Sequence, residues 1–203
     1  MYNRFITRPL SYSQLSQWEY DKEKWYTSYI EGKREPANAA MLYGNVVGDS
    51  IGTAGSLVPA LIPPGIKEYE IHANLGDVFL FGKADHFCPE DSILHENKTS
   101  STEDRWDQKK VDQHGQLTMY ALMLFLRDKI RPEDVTIYLN FIPVLVDGAW
   151  EYSMPSPPTY TQFKTKRTTH DIMKYSQYVL QTVKDMDAYI HSRGLTPPTA
   201  SVS

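Results

Sequence analysis

Apolar residues recur at helical spacing in two segments near the N-terminus, residues 11–31 and 37–53. The first segment is predicted to be a helix with a break near Asp21, and the second a continuous helix. The second helix contains Gly44 and Gly48. Glycine is costly in a helix interior unless another backbone or a ligand comes close, so we expect close contacts at this helix.

The pattern changes to the two-residue period of β-strands after a proline-rich connection at residues 57–65. Residues 67–73, 78–87 and 93–99 carry strand patterns and are separated by short turn sequences. Three strands in succession with tight turns predict an antiparallel meander.

Helical and strand patterns alternate in the second half of the chain. They predict, in order, a helix over 108–127, a strand over 135–146, a short strand near 150–154, a loop over 154–163 and a helix over 169–191. We therefore expect an α/β (α+β) fold, a central mixed sheet flanked by helices. With 203 residues, of which 41% are hydrophobic, one domain over 1–193 is predicted, followed by a flexible tail over 194–203.

Composition excludes several kinds of site. The chain has one cysteine, Cys88, so it cannot form an internal disulfide, a four-cysteine zinc site or an iron–sulfur cluster. The first ten residues lack the apolar run of a secretory signal, and no segment reaches the length that spans a membrane. These features predict a cytoplasmic protein without a membrane partner.

Two carboxylates and a lysine converge if residues 89–92 form a four-residue hairpin loop. That loop sets Asp85 opposite Glu96 and Lys83 opposite Lys98, with all four side chains on one face. Two carboxylates at that separation repel by about 3 kcal/mol when the effective dielectric constant is near 20. A ladder of salt bridges with the lysines would offset the repulsion, and so would a bound cation. Oxygen ligands of this kind suit Mg²⁺ or Mn²⁺.

A second polar group lies on the helix that follows. Asp112, Gln116 and Tyr120 are spaced four residues apart and are expected to share one helix face. A polar stripe on an exposed helix is the ordinary interpretation of such spacing. Because this helix directly follows the Glu-Asn-Lys strand, we expect it to pack beside the sheet and to direct the stripe toward Lys98.

Three short motifs in this order resemble those of the PD-(D/E)xK nuclease clan. They are Gly82–Asp85, Glu96–Thr99 and Gln116–Tyr120, and they are most similar to the branch of RecB-type nuclease domains, CRISPR-associated exonucleases and phage exonucleases. The opening segment 11–32 also resembles the first helix of that branch. The resemblance extends from residue 11 to about 120 and implies a restriction-endonuclease-like core.

The chain departs from this pattern at two places. Iron–sulfur members carry cysteines in the first helix and at the C-terminus, whereas this chain has Asp21 near the first of those positions. Many relatives have Gly-x-x-x-His on the second helix, with the histidine as a metal ligand. Here Gly44 is followed by Gly48 at the place of that histidine. Asp49 could take over the ligand role, although it points about 100° further around the helix.

The resemblance implies roles for the motif residues. Asp85, Glu96 and the main-chain carbonyl of Asn97 would hold one or two Mg²⁺ or Mn²⁺ ions against a scissile phosphate. Lys98 would orient or activate the attacking water and stabilise developing negative charge. No iron–sulfur cluster is expected.

The same resemblance implies DNA contacts around these residues. Gln116 and Tyr120 would orient the lysine or the DNA backbone. Basic side chains would contact phosphates without reading sequence. The candidates are Lys83, Lys109, Lys110, Lys164, Lys166 and Arg167.

The implied activity is that of a metal-dependent deoxyribonuclease. A stand-alone exonuclease on linear DNA, used in phage-type recombination or DNA processing, is the first interpretation. It would act on double-stranded ends or single strands, in the host cytoplasm if the chain is phage-encoded, with a second copy or a recombination protein as partner. Two alternatives stay open: a structure-specific or restriction-type endonuclease, and an inactive nuclease fold that binds DNA or protein.

Overall fold

A computed structural model describes residues 9–102, 105–149 and 151–194. The described helices are α1 (Tyr12–Tyr20), α2 (Lys22–Tyr29), α3 (Ala39–Ser50), α4 (Gln108–Asp112), α5 (Gly115–Asp128) and α6 (Thr169–Ser192). The described strands are β1 (Ile66–Leu75), β2 (Val78–Cys88), β3 (Ile93–Ser100), β4 (Thr136–Pro143), β5 (Leu145–Val146), β6 (Tyr152–Ser153) and β7 (Thr161–Thr165). Apart from Gly194, the predicted tail lies outside the described residues.

Five strands form a mixed sheet in the order β1-β2-β3-β4-β7, and β5 pairs with β6 in a separate ribbon. Only the β3–β4 pair of the large sheet is parallel. A parallel pair needs a crossover connection, which α4 and α5 supply between these two strands. The expected α+β fold, a mixed sheet with an antiparallel meander and flanking helices, is confirmed.

The predicted hairpin register is present where β2 and β3 pair. Cys88 faces Ile93, and His86 faces His95, as a four-residue loop requires. The ladder stops there, and the two strands then diverge. At the point of separation the Asn97 N–H donates to the Asp85 carboxylate at 2.6 Å, so a side chain takes over from the backbone ladder.

Two of the predicted helical segments are each divided into two helices, and only the first division was expected. The expected break at Asp21 is confirmed: this residue ends α1, and its side chain caps α2 by accepting from the Lys24 N–H at 3.0 Å. The helix predicted over 108–127 is instead divided into α4 and α5. The carbonyls of Val111 and His114 at the division accept hydrogen bonds from Arg167 at 2.9 and 3.3 Å.

The division of this helix overturns one grouping. Asp112 belongs to α4, where its carboxylate accepts from Gln108 at 2.8 Å. It therefore does not continue the face of Gln116 and Tyr120 on α5. The shared face of three residues that the spacing predicted is wrong, because the helix is interrupted between the first and second of them.

The loop predicted over 154–163 is also wrong in part. Residues Thr161–Thr165 form β7, an edge strand antiparallel to β4. The prolines of this segment all lie before the strand. The five residues form a strand because they pair with β4, which is distant in the sequence. Gln162 adds a side-chain bond, its amide donating to Asn140 Oδ1 at 2.9 Å.

Apolar side chains form two cores on opposite faces of the sheet. Neighbouring residues on β4 show this division, because Phe141 packs in the larger core and Ile142 in the smaller. The larger core includes Trp25, Leu80 and Met123 beneath α1, α2, α5 and α6. The smaller core lies beneath α3. No described helix is long and apolar enough to cross a membrane.

Candidate active site

A cavity of about 290 Å³ opens where β2 and β3 diverge, between these strands and α3. Its lining brings together most of the residues that the sequence motifs single out: Asp49, Asp85, Glu96, Asn97 and Lys98, with Gly44, Gly48 and Glu68 beside them. Both carboxylates therefore line one cavity where the pairing of β2 with β3 has ended.

Glu96 is almost completely buried at 3% exposure. Its Oε1 accepts a hydrogen bond from Lys98 Nζ at 2.6 Å. Its Oε2 is buried and has no hydrogen-bond partner among the described residues. A buried carboxylate oxygen without a donor is costly, so this atom is suited to a cation or another ligand in the cavity.

Charge in the cavity is incompletely balanced. Burial, followed by the charge of Glu96, raises the pKa of Asp85 to about 7, although the hydrogen bond from the Asn97 N–H opposes the shift. Burial by itself lowers the pKa of Lys98, but the charge and hydrogen bond of Glu96 and the charge of Asp85 outweigh it and raise that pKa. Lys98 therefore carries its proton at neutral pH, while Asp85 is only partly ionised.

A chain of hydrogen bonds on the α5 side fixes Lys98. Lys98 Nζ donates to Gln116 Oε1 at 2.8 Å, and Gln116 Nε2 donates to the Tyr120 hydroxyl at 2.8 Å. The Tyr120 hydroxyl then donates to the main-chain carbonyl of Lys83 at 2.7 Å. The four-residue spacing of Gln116 and Tyr120 thus turns both toward β3, the arrangement that their spacing suggested.

Gly82 allows α5 to approach the sheet this closely. A Cβ at Gly82 would lie 2.8 Å from a ring carbon of Tyr120 and 2.4 Å from the terminal methyl of Met123.

Burial, followed by the negative charge of Glu96, raises the pKa of the Tyr120 hydroxyl well above its usual value. The phenol therefore stays neutral and serves as a hydrogen-bond donor.

Asn140, which holds the side chain of Asn97 by a hydrogen bond, was not identified from the sequence. Asn140 Nδ2 donates to Asn97 Oδ1 at 2.8 Å, and Asn140 is fully buried in β4. The only signal in the sequence is a lone amide within the apolar run of that strand. Its partner could not be identified without the strand pairing.

Glu68 is a second residue that the sequence did not indicate. It lines the cavity with a backbone φ of 52°, an uncommon value for a residue with a side chain. It accepts from Lys83 Nζ at 2.9 Å, and both side chains are about half exposed. Lys83 therefore pairs with a residue of β1, so of the two lysines in the alternative salt-bridge ladder only Lys98 pairs with a carboxylate of the site.

The donors around the cavity suit a hard divalent cation. Asp85 and the unpartnered Oε2 of Glu96 supply carboxylate oxygens, the preferred ligands of Mg²⁺ and Mn²⁺. Asp49 is exposed on α3 and lines the same cavity. Among the described residues, however, no three His, Cys, Asp or Glu side chains lie close enough to hold a metal ion by themselves. Carbonyl or water oxygens would have to complete the coordination.

The predicted DNA-contacting lysines are exposed on the surface. Lys164 lies over the ring of Tyr138 at 5.9 Å, and Lys166 donates to the carbonyl of Glu133 at 2.9 Å. Lys109 and Lys110 lie on α4.

Arg167 differs from these lysines, and its assignment to DNA contact is wrong. It is 2% exposed, and its guanidinium donates to five acceptors. An arginine has five N–H donors, so none is left for a phosphate. Burial lowers the pKa of Arg167. Its role is to join β7 to the division between α4 and α5.

The sequence matches no protein-family model and no curated protein sequence. Solved structures do resemble the fold. A phage-related exonuclease from Haemophilus somnus 129PT superposes with a TM-score of 0.59 and 16% identity, over 94% of this chain and 92% of that one. The protein therefore has the same fold as that structure. A putative exonuclease from Eubacterium rectale gives a TM-score of 0.58 and 10% identity, over 96% of this chain and 85% of that one.

A third similar structure is LHK-Exo in complex with dAMP, with a TM-score of 0.54 and 14% identity. The match covers 91% of this chain and 90% of that one. These identities are low, and the similarity therefore establishes the fold. The restriction-endonuclease-like architecture expected from the motifs agrees with it.

Proposed function

We propose that this protein is a Mg²⁺- or Mn²⁺-dependent deoxyribonuclease, and more specifically an exonuclease that hydrolyses phosphodiester bonds of linear DNA. The main support is the cluster of Asp85, Glu96 and Lys98 in a cavity where one buried carboxylate oxygen has no hydrogen-bond partner among the described residues. The fold shared with structures named as exonucleases supports the same reaction class.

Each side chain has a role that follows from its contacts. Asp85 and Glu96 would hold the cation, with the carbonyl of Asn97 and water as further ligands. A bound cation would polarise the phosphate and lower the pKa of an attacking water. The Lys98 ammonium has three N–H donors, and Glu96 and Gln116 accept two of them. The third is left to stabilise negative charge on the phosphate oxygens.

Gln116 and Tyr120 would act as positioning residues. They connect Lys98 to the backbone of β2 through two further hydrogen bonds, so the ammonium is held in one place before substrate arrives. Pre-arranged donors cost no reorganisation when charge develops.

We further propose that the substrate is DNA ends or single strands, in phage-type recombination or DNA processing in the cytoplasm. A second copy of the chain or a recombination protein would be the partner.

Incubation with end-labelled linear DNA and closed circular DNA tests the proposal. We expect Mg²⁺ or Mn²⁺ to support release of nucleotides from linear DNA and EDTA to prevent it. Cleavage of the circle would favour the endonuclease alternative. Absence of cleavage of either DNA with both metals would overturn the nuclease assignment.

One observation favours the second alternative, a binding module without activity. Gly48 occupies the place where the resembling nucleases carry a metal-binding histidine, and no third carboxylate or imidazole among the described residues closes the metal site. Nothing lies within 4 Å of a Cβ placed at Gly48. An inactive wild type that gains metal-dependent cleavage as Gly48→His would support this alternative.

A further inference from the structure

A second cavity, of about 710 Å³, adjoins the first through Lys98, which lines both. It lies between α1, α4 and the start of α5. The residues that determine its chemistry are Tyr12, Lys98, Arg105, Trp106, Lys110 and His114. A volume of this size is typical of sites that enclose a small molecule.

The rings of Tyr12 and Trp106 both contact the ring of His114 beside this cavity. The ring centroids of Trp106 and His114 are 4.9 Å apart in an edge-on arrangement, and those of Tyr12 and His114 are 5.4 Å apart. His114 Nδ1 is buried without a hydrogen-bond partner among the described residues. Burial, and then the charges of Lys98 and Arg167, lower the pKa of His114 to about 4, so the ring is neutral at physiological pH.

The charged residues of the lining have one sign. Lys98, Arg105 and Lys110 are cationic, and no described lining residue is a carboxylate. This differs from the first cavity, whose lining contains Asp85 and Glu96. Outside the lining, Lys98 pairs with Glu96 at 2.6 Å and Lys110 with Asp107 at 3.5 Å, whereas no salt bridge is found for Arg105 among the described residues. Aromatic faces combined with cations are the features that proteins use to bind single-stranded nucleic acid, by stacking bases and contacting phosphates.

We propose that the second cavity is a single-strand subsite that holds the nucleotide next to the scissile phosphate. Trp106 stacks on its base, and Arg105 and Lys110 contact its phosphates. Lys98 then lies between the base-binding cavity and the carboxylate cavity, where the phosphate must be. A base within a duplex has both faces covered, so the subsite accepts a strand end that has been separated from its complement. This inference rests on the proposed function.

Binding of a fluorescein-labelled oligo(dT) 12-mer in EDTA tests the subsite without cleavage. We expect Trp106→Ala to weaken binding about tenfold, since stacking of one base on an aromatic ring has that effect. Trp106→Phe should retain most of the affinity. Arg105→Gln should reduce the slope of log affinity against log salt by about 0.7, the value for one phosphate contact on a single strand. Arg131→Gln, at an exposed position in the connection between α5 and β4, is the matched control and should change neither.

The outcomes separate the subsite from the nuclease activity. Wild-type affinity and salt slope in both Trp106→Ala and Arg105→Gln would overturn the subsite, even if the wild type cuts DNA. Weaker binding by these variants would support it even if the wild type cuts nothing, which would contradict only the proposed reaction. If Trp106→Ala fails to fold by circular dichroism, the salt slope of Arg105→Gln decides.

Discussion

The two sides of the Glu96–Lys98 ion pair differ in how completely their polar groups are paired. On the α5 side, Lys98, Gln116 and Tyr120 form a continuous chain of hydrogen bonds that ends on a backbone carbonyl. On the side of the cavity beneath α3, Oε2 of Glu96 has no hydrogen-bond partner among the described residues, and the neighbouring carboxyl of Asp85 has its pKa raised to about 7.

The difference separates what the fold supplies from what a ligand must supply. The α5 side adjoins the larger core and positions Lys98 by itself. The cavity side lies beneath α3 and exposes Asp85 and Glu96, one of whose oxygens has no hydrogen-bond partner among the described residues. Changes on the α5 side should therefore alter the reaction, and changes on the cavity side should alter the response to metal.

Lys98→Ala should have the largest effect on activity. Loss of the ammonium removes charge stabilisation at the phosphate, and we expect the rate of DNA cleavage to fall about 1,000-fold. The variant also leaves Glu96 buried without its ion-pair partner, which costs about 3–5 kcal/mol of unfolding free energy. Mn²⁺ should restore much of the lost melting temperature, because the carboxylates remain to bind it.

Lys24→Ala is the matched control for this variant. Lys24 is an exposed lysine of α2 that pairs with Glu35, so its loss should leave both the melting temperature and the cleavage rate nearly unchanged. A folded Lys98→Ala protein that cuts DNA at the wild-type rate, with a melting temperature insensitive to Mn²⁺, would show that Lys98 serves only as a salt-bridge partner.

Asp85→Asn should have the next largest effect, on the response to pH and metal. The pKa of Asp85 is raised from 3.8 to about 7, so the folded protein keeps a proton that the unfolded chain releases in this window. The free energy of unfolding of the wild type therefore falls as pH rises from about 4 to 7, by roughly 3 kcal/mol. Removing the charge should make the metal-free variant more stable than the wild type above pH 7 and similar to it near pH 4.

Thermal melts across this pH range, with and without Mn²⁺, measure both effects. Mn²⁺ should stabilise the wild type above pH 7 and have little effect on Asp85→Asn. Asp185→Asn, at an exposed position on α6, should follow the wild type throughout. Equal stabilisation of the two Asp variants by Mn²⁺ would remove Asp85 from the metal site.

Features set by short-range geometry were predictable from the sequence. The length of the β2–β3 loop determined which carboxylates converge, and a four-residue spacing determined that Gln116 and Tyr120 share a face. Both follow from the periods of strands and helices.

Features set by distant segments were not predictable. β7 gains its strand conformation from β4, and Arg167 donates hydrogen bonds to two carbonyls at the division between α4 and α5, which lie more than fifty residues earlier in the chain. The left-handed backbone of Glu68 has no sequence signal either. Local patterns carry no information about such partners.

Gln116→Ala should have a moderate effect on activity, because Gln116 belongs to the hydrogen-bond chain on the α5 side of Lys98. The variant removes one acceptor from Lys98 and one donor to Tyr120, so we expect the turnover number to fall about tenfold while Mn²⁺ affinity stays unchanged. Tyr120→Phe should lose about 1 kcal/mol of stability with its hydrogen bond to Lys83. Steady-state kinetics with metal titration separate these effects, and an altered Mn²⁺ affinity in Gln116→Ala would contradict the assignment of this residue to positioning.

Substitution of the two glycines of α3 should have the smallest effects on stability, and it tests how closely α3 packs beside the cavity. Gly48→Ala should raise the free energy of unfolding by about 0.5–1 kcal/mol, because alanine favours a helix and its Cβ meets nothing within 4 Å. Gly44→Ala should gain less or lose stability, since its Cβ would lie 2.9 Å from Thr99 Oγ1. In a Thr99→Ala background that contact is absent, so Gly44→Ala should regain the full helical benefit. Urea denaturation of the single and double variants measures the difference. Equal effects at Gly44 and Gly48 in the wild-type background would mean that α3 does not contact Thr99 of β3 closely at Gly44.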